Sequence, residues 1–182
     1  MNKVLLHICC APCSIHPFEV LKGEGVEFEG YFYNPNIHPY REYKHRLEVL
    51  TEWCRANKVT LQVEDSYDVA GYLSQVLPYA KGAERCMACY TLRMRRTAKA
   101  AAELGAQGFT TTLLASPYQK HDMVVAAATR AACEFGVKFL YWDFRPGYRD
   151  GLKKARELQM YLQPYCGCLF SEVERYRKGV KG

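Results

Sequence analysis

Five short runs of apolar, β-branched and aromatic residues, separated by stretches of helical periodicity, constrain this chain more than anything else in it. They are residues 4–8, 26–33, 59–63, 109–114 and 137–142. Each has strand length and stops at a turn or polar loop. Cys9-Cys10-Ala11-Pro12 closes the first and Asn34-Pro35-Asn36 the second. The segments between and after them read as helices over 14–22, 39–57, 66–77, 85–104, 122–135, 153–161 and 171–177. In the second of these, Tyr43, Leu47, Leu50 and Cys54 repeat on one face. Ser14 is the expected cap of the first helix, and Ser171 with Glu174 gives the last one a capping-box spacing. Strands alternating with helices of this length imply βαβ units, a parallel sheet and right-handed crossovers. The expected fold is α/β: one domain over residues 1–182, with a Rossmann-like parallel sheet of about five strands flanked by helices.

Such a fold needs a core, and 49% hydrophobic against 24% charged residues supplies one and excludes disorder as the main state. A chain of this length buries roughly 70% of the surface its unfolded state exposes. The longest apolar runs, such as Val124-Val125-Ala126-Ala127-Ala128, fall far short of the ~20 residues of a membrane span. The first ten residues carry no secretory pattern. A cytoplasmic protein with no membrane partner is expected. Its net charge of +6 tilts toward a polyanionic partner.

The nine cysteines are too sparse for a disulfide scaffold and odd in number. In a reducing compartment, clustered cysteines read as metal ligands or redox groups. Cys54 lies on an apolar stripe and Cys133 on an Ala-rich helix, so both are expected in the core as small hydrophobes. The other seven fall into three groups: Cys9, Cys10 and Cys13; Cys86 and Cys89; Cys166 and Cys168.

In an open parallel sheet, ligands bind outside the carboxyl ends of the strands. The segments leaving those ends carry Cys9 to Cys13, then Tyr33 to Asn36, then Ser116 to His121, then Asp143-Phe144-Arg145. Thiols, amides, His121 and an Asp143/Arg145 pair are therefore expected at one edge. Cys86-Met87-Ala88-Cys89 opens a helix, where the dipole and free N–H groups favour thiolate. Arg93 and Arg96 extend that face within an arc of about 80°. Gly167 gives the backbone freedom to bring Cys166 and Cys168 together, as ligands or as a dithiol.

Seven clustered thiols are more than the four of a structural zinc. Four also suit a [4Fe–4S] cluster, leaving the others for a second centre or a redox role. Adjacent Cys9 and Cys10 do not easily share one small ion, but they can reach different irons of a larger cluster. No Gly-rich phosphate cradle follows the first run, which weighs against a nucleotide-binding reading. The Cys86-to-Cys89 motif lies far into the chain rather than directly after an early strand, which weighs against a thioredoxin-like one.

Six segments taken together carry a resemblance: His7-Ile8-Cys9-Cys10-Ala11-Pro12-Cys13, Tyr33-Asn34-Pro35-Asn36-Ile37-His38-Pro39, Glu84-Arg85-Cys86-Met87-Ala88-Cys89-Tyr90, residues 109–117, Asp143-Phe144-Arg145 and Tyr165-Cys166-Gly167-Cys168. They resemble the QueH family of epoxyqueuosine reductases, occur in that family's order, span nearly the whole chain and lack no expected cysteine. The resemblance implies a Rossmann-like fold similar to the adenine-nucleotide hydrolase group. It implies reduction of epoxyqueuosine to queuosine at the wobble position of tRNA, by iron–sulfur chemistry without cobalamin. Carried over by motif, Cys9, Cys10, Cys86 and Cys89 are the implied ligands of a [4Fe–4S] cluster. Cys166 and Cys168 are an implied redox-active pair able to close as a disulfide.

Removing an epoxide oxygen as water takes two electrons and two protons. A cluster passes one electron at a time, so a Cys166/Cys168 dithiol or a neighbouring second iron ion is expected as the other store. Asp143 is the candidate acid or oxygen ligand to a second metal, with His121 the alternative acid. Asn34, Arg93, His121 and Arg145 are candidate substrate contacts. Recognition of an anticodon loop calls for stacking and phosphate contacts. Tyr90, Tyr118, Tyr148 and Tyr165 are candidates for the first. Arg93, Arg96, Arg145, Arg149, Lys153, Lys154, Arg175, Arg177 and Lys178 are candidates for the second. The electrons come from an external donor. A zinc-stabilised RNA-binding module and an iron–sulfur electron carrier are the rival readings. The first leaves three clustered cysteines idle, and the second leaves the basic helix unexplained.

Overall fold

The computed structural model describes residues 3–80 and 82–177. Strands β1 (Val4–His7), β2 (Phe28–Phe32), β3 (Leu61–Val63) and β4 (Gly108–Thr111) form one parallel sheet in the order β3-β2-β1-β4. Val4 stands opposite Phe28 on one side and Gly108 on the other. Side chains alternate between the two faces, as the pleat requires. Leu5, Tyr31 and Phe109 enter one core and Leu6 and Phe32 the other.

Seven helices complete the described chain: α1 (Ala11–Gly23), α2 (Tyr40–Ala56), α3 (Val69–Val76), α4 (Glu84–Glu103), α5 (His121–Phe135), α6 (Tyr148–Glu157) and α7 (Leu169–Tyr176). Phe18 and Leu21 of α1 and Leu50 and Cys54 of α2 cover the Leu6 face. Met94, Ala98 and Ala101 of α4 and Ala127, Ala128 and Ala131 of α5 cover the Leu5 face. The small side chains let these two helices approach closely, and Gly136 ends α5 at φ 65°, a left-handed cap. No helix among the described residues is long and apolar enough to cross a membrane.

The sheet has four strands where about five were expected. Residues 137–142 make a single parallel bridge, Phe109 to Phe139, with backbone bonds of 2.9 Å from Phe109 N to Lys138 O and from Leu140 N to Phe109 O. β4 itself stops at Thr111, whose hydroxyl accepts from Leu113 N and turns Thr112–Leu114 into a 3₁₀ turn. Little strand is left for a fifth to pair with, and exposed Lys138 and Tyr141 mark its segment as sheet rim.

Several helix starts also differ from expectation. α1 begins at Ala11, capped by Cys10, because Pro12 is tolerated in a first turn that needs no N–H. Ser14 lies inside it, its hydroxyl donating to Ala11 O at 2.7 Å. α6 opens at Tyr148 rather than at 153, directly after the turn at Arg145–Gly147. Cys168, not Ser171, caps α7. Cys133 is exposed rather than in the core. At 100° per residue it lies about 140° round α5 from Ala128, on the far side from α4.

The strand order reverses direction at β1 and β4. A crevice opens at the carboxyl end of such a boundary, and the segments leaving both strands meet there.

Candidate metal centre

β1 delivers Cys9 and Cys10 directly into that crevice. Cys9 N donates to Thr112 Oγ1 at 3.1 Å, and the same hydroxyl stands 3.4 Å from Cys9 Sγ. Cys9 Sγ and Cys10 Sγ are 3.7 Å apart. Cys13, one turn into α1, completes a group whose three sulfurs all lie within 4.8 Å of one another. The sequence grouped Cys13 with Cys9 and Cys10 but gave it no ligand role, although Cys10-Ala11-Pro12-Cys13 is itself a Cys-x-x-Cys at a helix start. Gln163 Nε2 donates to Cys10 Sγ at 2.8 Å and stands 3.6 Å from Cys13 Sγ.

Three crowded thiols cannot all ionise at once. The sulfur neighbours Cys10 and Cys13, with the Thr112 hydroxyl and the Arg93 charge, hold Cys9 well below the ordinary thiol range. Burial and the neighbouring sulfurs push Cys10 and Cys13 up. Of the three thiols, Cys9 is the one held lowest.

The other four cysteines of the three groups line one narrow cleft. Cys86 and Cys89 come from the first two turns of α4, Cys166 and Cys168 from the loop before α7, and Asn36, Tyr72, Arg85 and Tyr90 fill the gaps. Burial pushes the Cys89 thiol up to about 12, and desolvation raises Cys86 and Cys166 as well. Arg46 fastens the cysteine loop. It donates to the carbonyls of Tyr165 and Cys166 at 3.1 Å each, pairs with Glu42 at 2.6 Å, and lies over the Tyr165 ring. Gly167 sits at φ 131°, where a Cβ would meet Ile37 Cγ1 at 3.0 Å and Asn36 Nδ2 at 3.2 Å, so no other residue fits without strain. Cys168 Sγ accepts from Ser171 N at 3.4 Å, and Gln119 Nε2 reaches Cys166 Sγ at 3.5 Å.

Arg93 connects the two sulfur groups. It follows Cys89 by one turn on α4, and its Nη2 donates to Asn34 Oδ1 at 2.6 Å. Asn34 Nδ2 in turn donates to Ile8 O at 2.9 Å, beside Cys9. The Arg93 charge acts on Cys9, Cys89 and Cys166 together. Around these sulfurs, Asn36 Oδ1, Tyr72 Oη, Arg93 Nε and Gln163 Oε1 are buried without a hydrogen-bond partner, as is Nε2 of His38, which packs on Tyr72. Each bare polar atom costs about 1–3 kcal/mol, so their concentration at one place points to a bound group.

The remaining predicted residues lie elsewhere or face differently. Arg145 grips Asp143 with two bonds of 2.7 Å and pulls its carboxyl down to about 2. A carboxylate held that low carries no proton near neutral pH, so this geometry gives the expected acid role no support. His121 lines an open cavity of about 400 Å³ with Asp122, Val125, Ala126 and Tyr141. Its Nε2 is 3.3 Å from Tyr141 OH. Asn34 and Arg93 are buried rather than presented to solvent, and Arg96 is bound to Glu64 at 2.6 Å. Of the expected basic strip on α4, Arg93 is therefore interior and Arg96 paired with a carboxylate. Tyr90 is buried, which removes it from any stacking surface, whereas Tyr118 is exposed against Tyr148. Lys178 lies outside the described residues. All nine cysteines are free thiols, Cys166 and Cys168 included.

The chain is similar to known proteins of one family. A family model described as "Epoxyqueuosine reductase QueH" matches residues 4–174. A protein of that name from Dehalococcoides mccartyi is 40% identical over 176 residues, covering 97% of this chain and 96% of the relative. Another from Thermotoga maritima is 36% identical over 187 residues, covering 98% and 94%. A third from Haemophilus influenzae is 33% identical, covering 93% of this chain and 71% of its own.

Proposed function

The chain belongs to the epoxyqueuosine reductase QueH family, an oxidoreductase that reduces epoxyqueuosine to queuosine, and we propose that it does so on tRNA with a cobalamin-independent [4Fe–4S] centre held by Cys9, Cys10, Cys86 and Cys89. One observation carries the cofactor reading. Three separate segments bring seven thiols to one sheet edge, over a buried arginine and among polar atoms that lack partners. Thiolates are the donors that iron–sulfur centres take, so the donor set fits the group. Cys13 belongs to the same three-sulfur group and joins the candidate ligands.

When bound, such a centre supplies electrons one at a time. The reaction consumes two electrons and two protons and releases the epoxide oxygen as water, leaving a carbon–carbon double bond. Cys166 and Cys168, both free thiols at the cleft, are the proposed second store. Their joint oxidation to a disulfide would release the matching two electrons and two protons. Outside the proposed ligands, the hydroxyls of Tyr72 and Tyr90 hold protons at neutral pH at this cleft, whereas Asp143 holds none. A second iron ion stays a proposal without a carboxylate partner: among the described residues the group able to hold a metal by mutual distance contains cysteines alone.

Anaerobic reconstitution with iron and sulfide tests the cofactor, and tRNA carrying epoxyqueuosine tests the substrate. The reconstituted protein should be brown and hold about four irons or more per chain. Cys10→Ser and Cys86→Ser should each lose most of that iron. Full iron content in either variant would overturn the ligand assignment, and multiple turnovers by Cys168→Ala would overturn the dithiol store.

A further inference from the structure

Three arginines are buried in this protein, and two are compensated by a carboxylate. Arg46 meets Glu42 at 2.6 Å and Arg85 meets Glu174 at 2.7 Å. Arg93 is the most deeply buried of the three, at 1% exposure. Among the described residues no carboxylate pairs with it. The one hydrogen bond its guanidinium donates ends on the neutral amide of Asn34, at 2.6 Å, and its Nε is bare. A lone charge in the interior is among the costliest arrangements a fold can keep. It persists where negative charge can gather beside it, and the acids beside Arg93 are thiols, which give up their protons when they take a metal.

The placement says which counterion. Arg93 follows Cys89 by one helical turn, so both project from the same face of α4. Through Asn34 it is tied to Ile8 O, and the next residue is Cys9. The guanidinium therefore stands between the sulfurs of the β1 end and those of the α4 start.

We propose that Arg93 is the fixed countercharge of the sulfur centre, a positioning residue whose positive charge is balanced when the surrounding thiolates close on a metal. The inference rests on reading the site as a thiolate-ligated centre. A carboxylate beside Arg93 would cancel the charge before any metal arrived. Its lack of one is what makes the pocket attractive to an anionic metal–thiolate group. Asn34 aims the planar guanidinium without neutralising it. The bare Nε–H is left to donate toward sulfur, a bond a lysine ammonium reproduces only in charge.

The test uses the full chain, reduced and metal-free, titrated with cadmium(II) and followed by its sulfur-to-cadmium absorption. Arg93→Met should bind cadmium about tenfold more weakly or worse, and Arg93→Lys should recover most of the loss. The exposed Arg95→Met serves as control and should bind as wild type does. Without metal, Arg93→Met should melt no lower than wild type; loaded, it should melt lower. After iron–sulfide reconstitution, the midpoint potential should move to more negative values in Arg93→Met and much less in Arg93→Lys. If Arg93→Met does not fold, Arg93→Gln carries the same comparisons.

Equal cadmium affinity in wild type and Arg93→Met would overturn the proposal. So would an equal fall in melting temperature with and without metal, the mark of a packing role alone. The cofactor reading fails separately, if wild type takes up no iron and sulfide while its cadmium affinity still depends on Arg93.

Discussion

Cys54 and Cys133 sit on helices of similar length and differ in the direction they face. Cys54 is enclosed by the α1–α2 side of the core, and burial pushes its thiol up to about 12. At pH 8 only about one in 10⁴ such thiols is ionised, so iodoacetamide should label it at the rate of global unfolding. Cys133, exposed on α5, should label in the native protein within minutes, and mass spectrometry after brief alkylation separates the two. The stripe of Tyr43, Leu47 and Leu50 told the first case in advance. The second was misread because an Ala-rich helix has so weak a polar face that its outer side is hard to find. Asp143 behaves oppositely to a buried thiol. Arg145 lowers its pKa to about 2, so the pair stabilises the fold above the ordinary carboxyl value near 4 and loses that contribution as pH falls toward 2. The pair is exposed to water, so Asp143→Asn should cost under about 1 kcal/mol at pH 7 and clearly less at pH 2, read by denaturant unfolding at both.

The loop of residues 165–168 shows what an element needs beyond its sequence motif. Cys166-Gly167-Cys168 announced two sulfurs and a flexible residue, and the structure adds the reason for the glycine: its φ of 131° and the wall of Ile37 and Asn36. Gly167→Ala should destabilise by about 1–3 kcal/mol, measured by thermal melting, and should reduce turnover more than the lost stability explains. Arg46 was not legible as the loop's anchor. It lies 119 residues from Tyr165, and nothing local marks an arginine that will hydrogen-bond carbonyls. Replacing it by Met should cost about 3–5 kcal/mol, because Glu42 is left with only the Tyr161 hydroxyl and two loop carbonyls lose their donor. The strands were legible where both faces are covered, as in residues 4–8, and failed at residues 137–142, where the apolar run proved to be a rim with one bridge. The starts of α1 and α7 were missed for a common reason. Cysteine is not a residue one expects at a cap, yet Cys10 and Cys168 occupy that position in α1 and α7.

At the scale of the molecule, the net charge of +6 says less than which cations a polyanion can reach. Arg46 and Arg93 are interior, and Arg96, Arg145 and Lys154 are engaged with carboxylates. Arg149, Arg175 and Arg177 are exposed and take part in no ion pair among the described residues. Affinity for tRNA should therefore fall with salt, and Arg149→Ala should lower the log–log slope by about 0.7 if that side chain meets a single-stranded phosphate. The order β3-β2-β1-β4 was out of reach of the sequence, because which side of β1 the fourth strand joins depends on how α4 and α5 pack rather than on any local pattern. That order joins a thiol from residue 9 to the cleft holding thiols from residues 166 and 168. A growing polypeptide must be almost finished before these donors can meet. The proposed ligands are all made by residue 89, but the loop that walls the cleft with Cys166 and Cys168 is made last, so the pocket closes around its full set of sulfurs only near the end of synthesis.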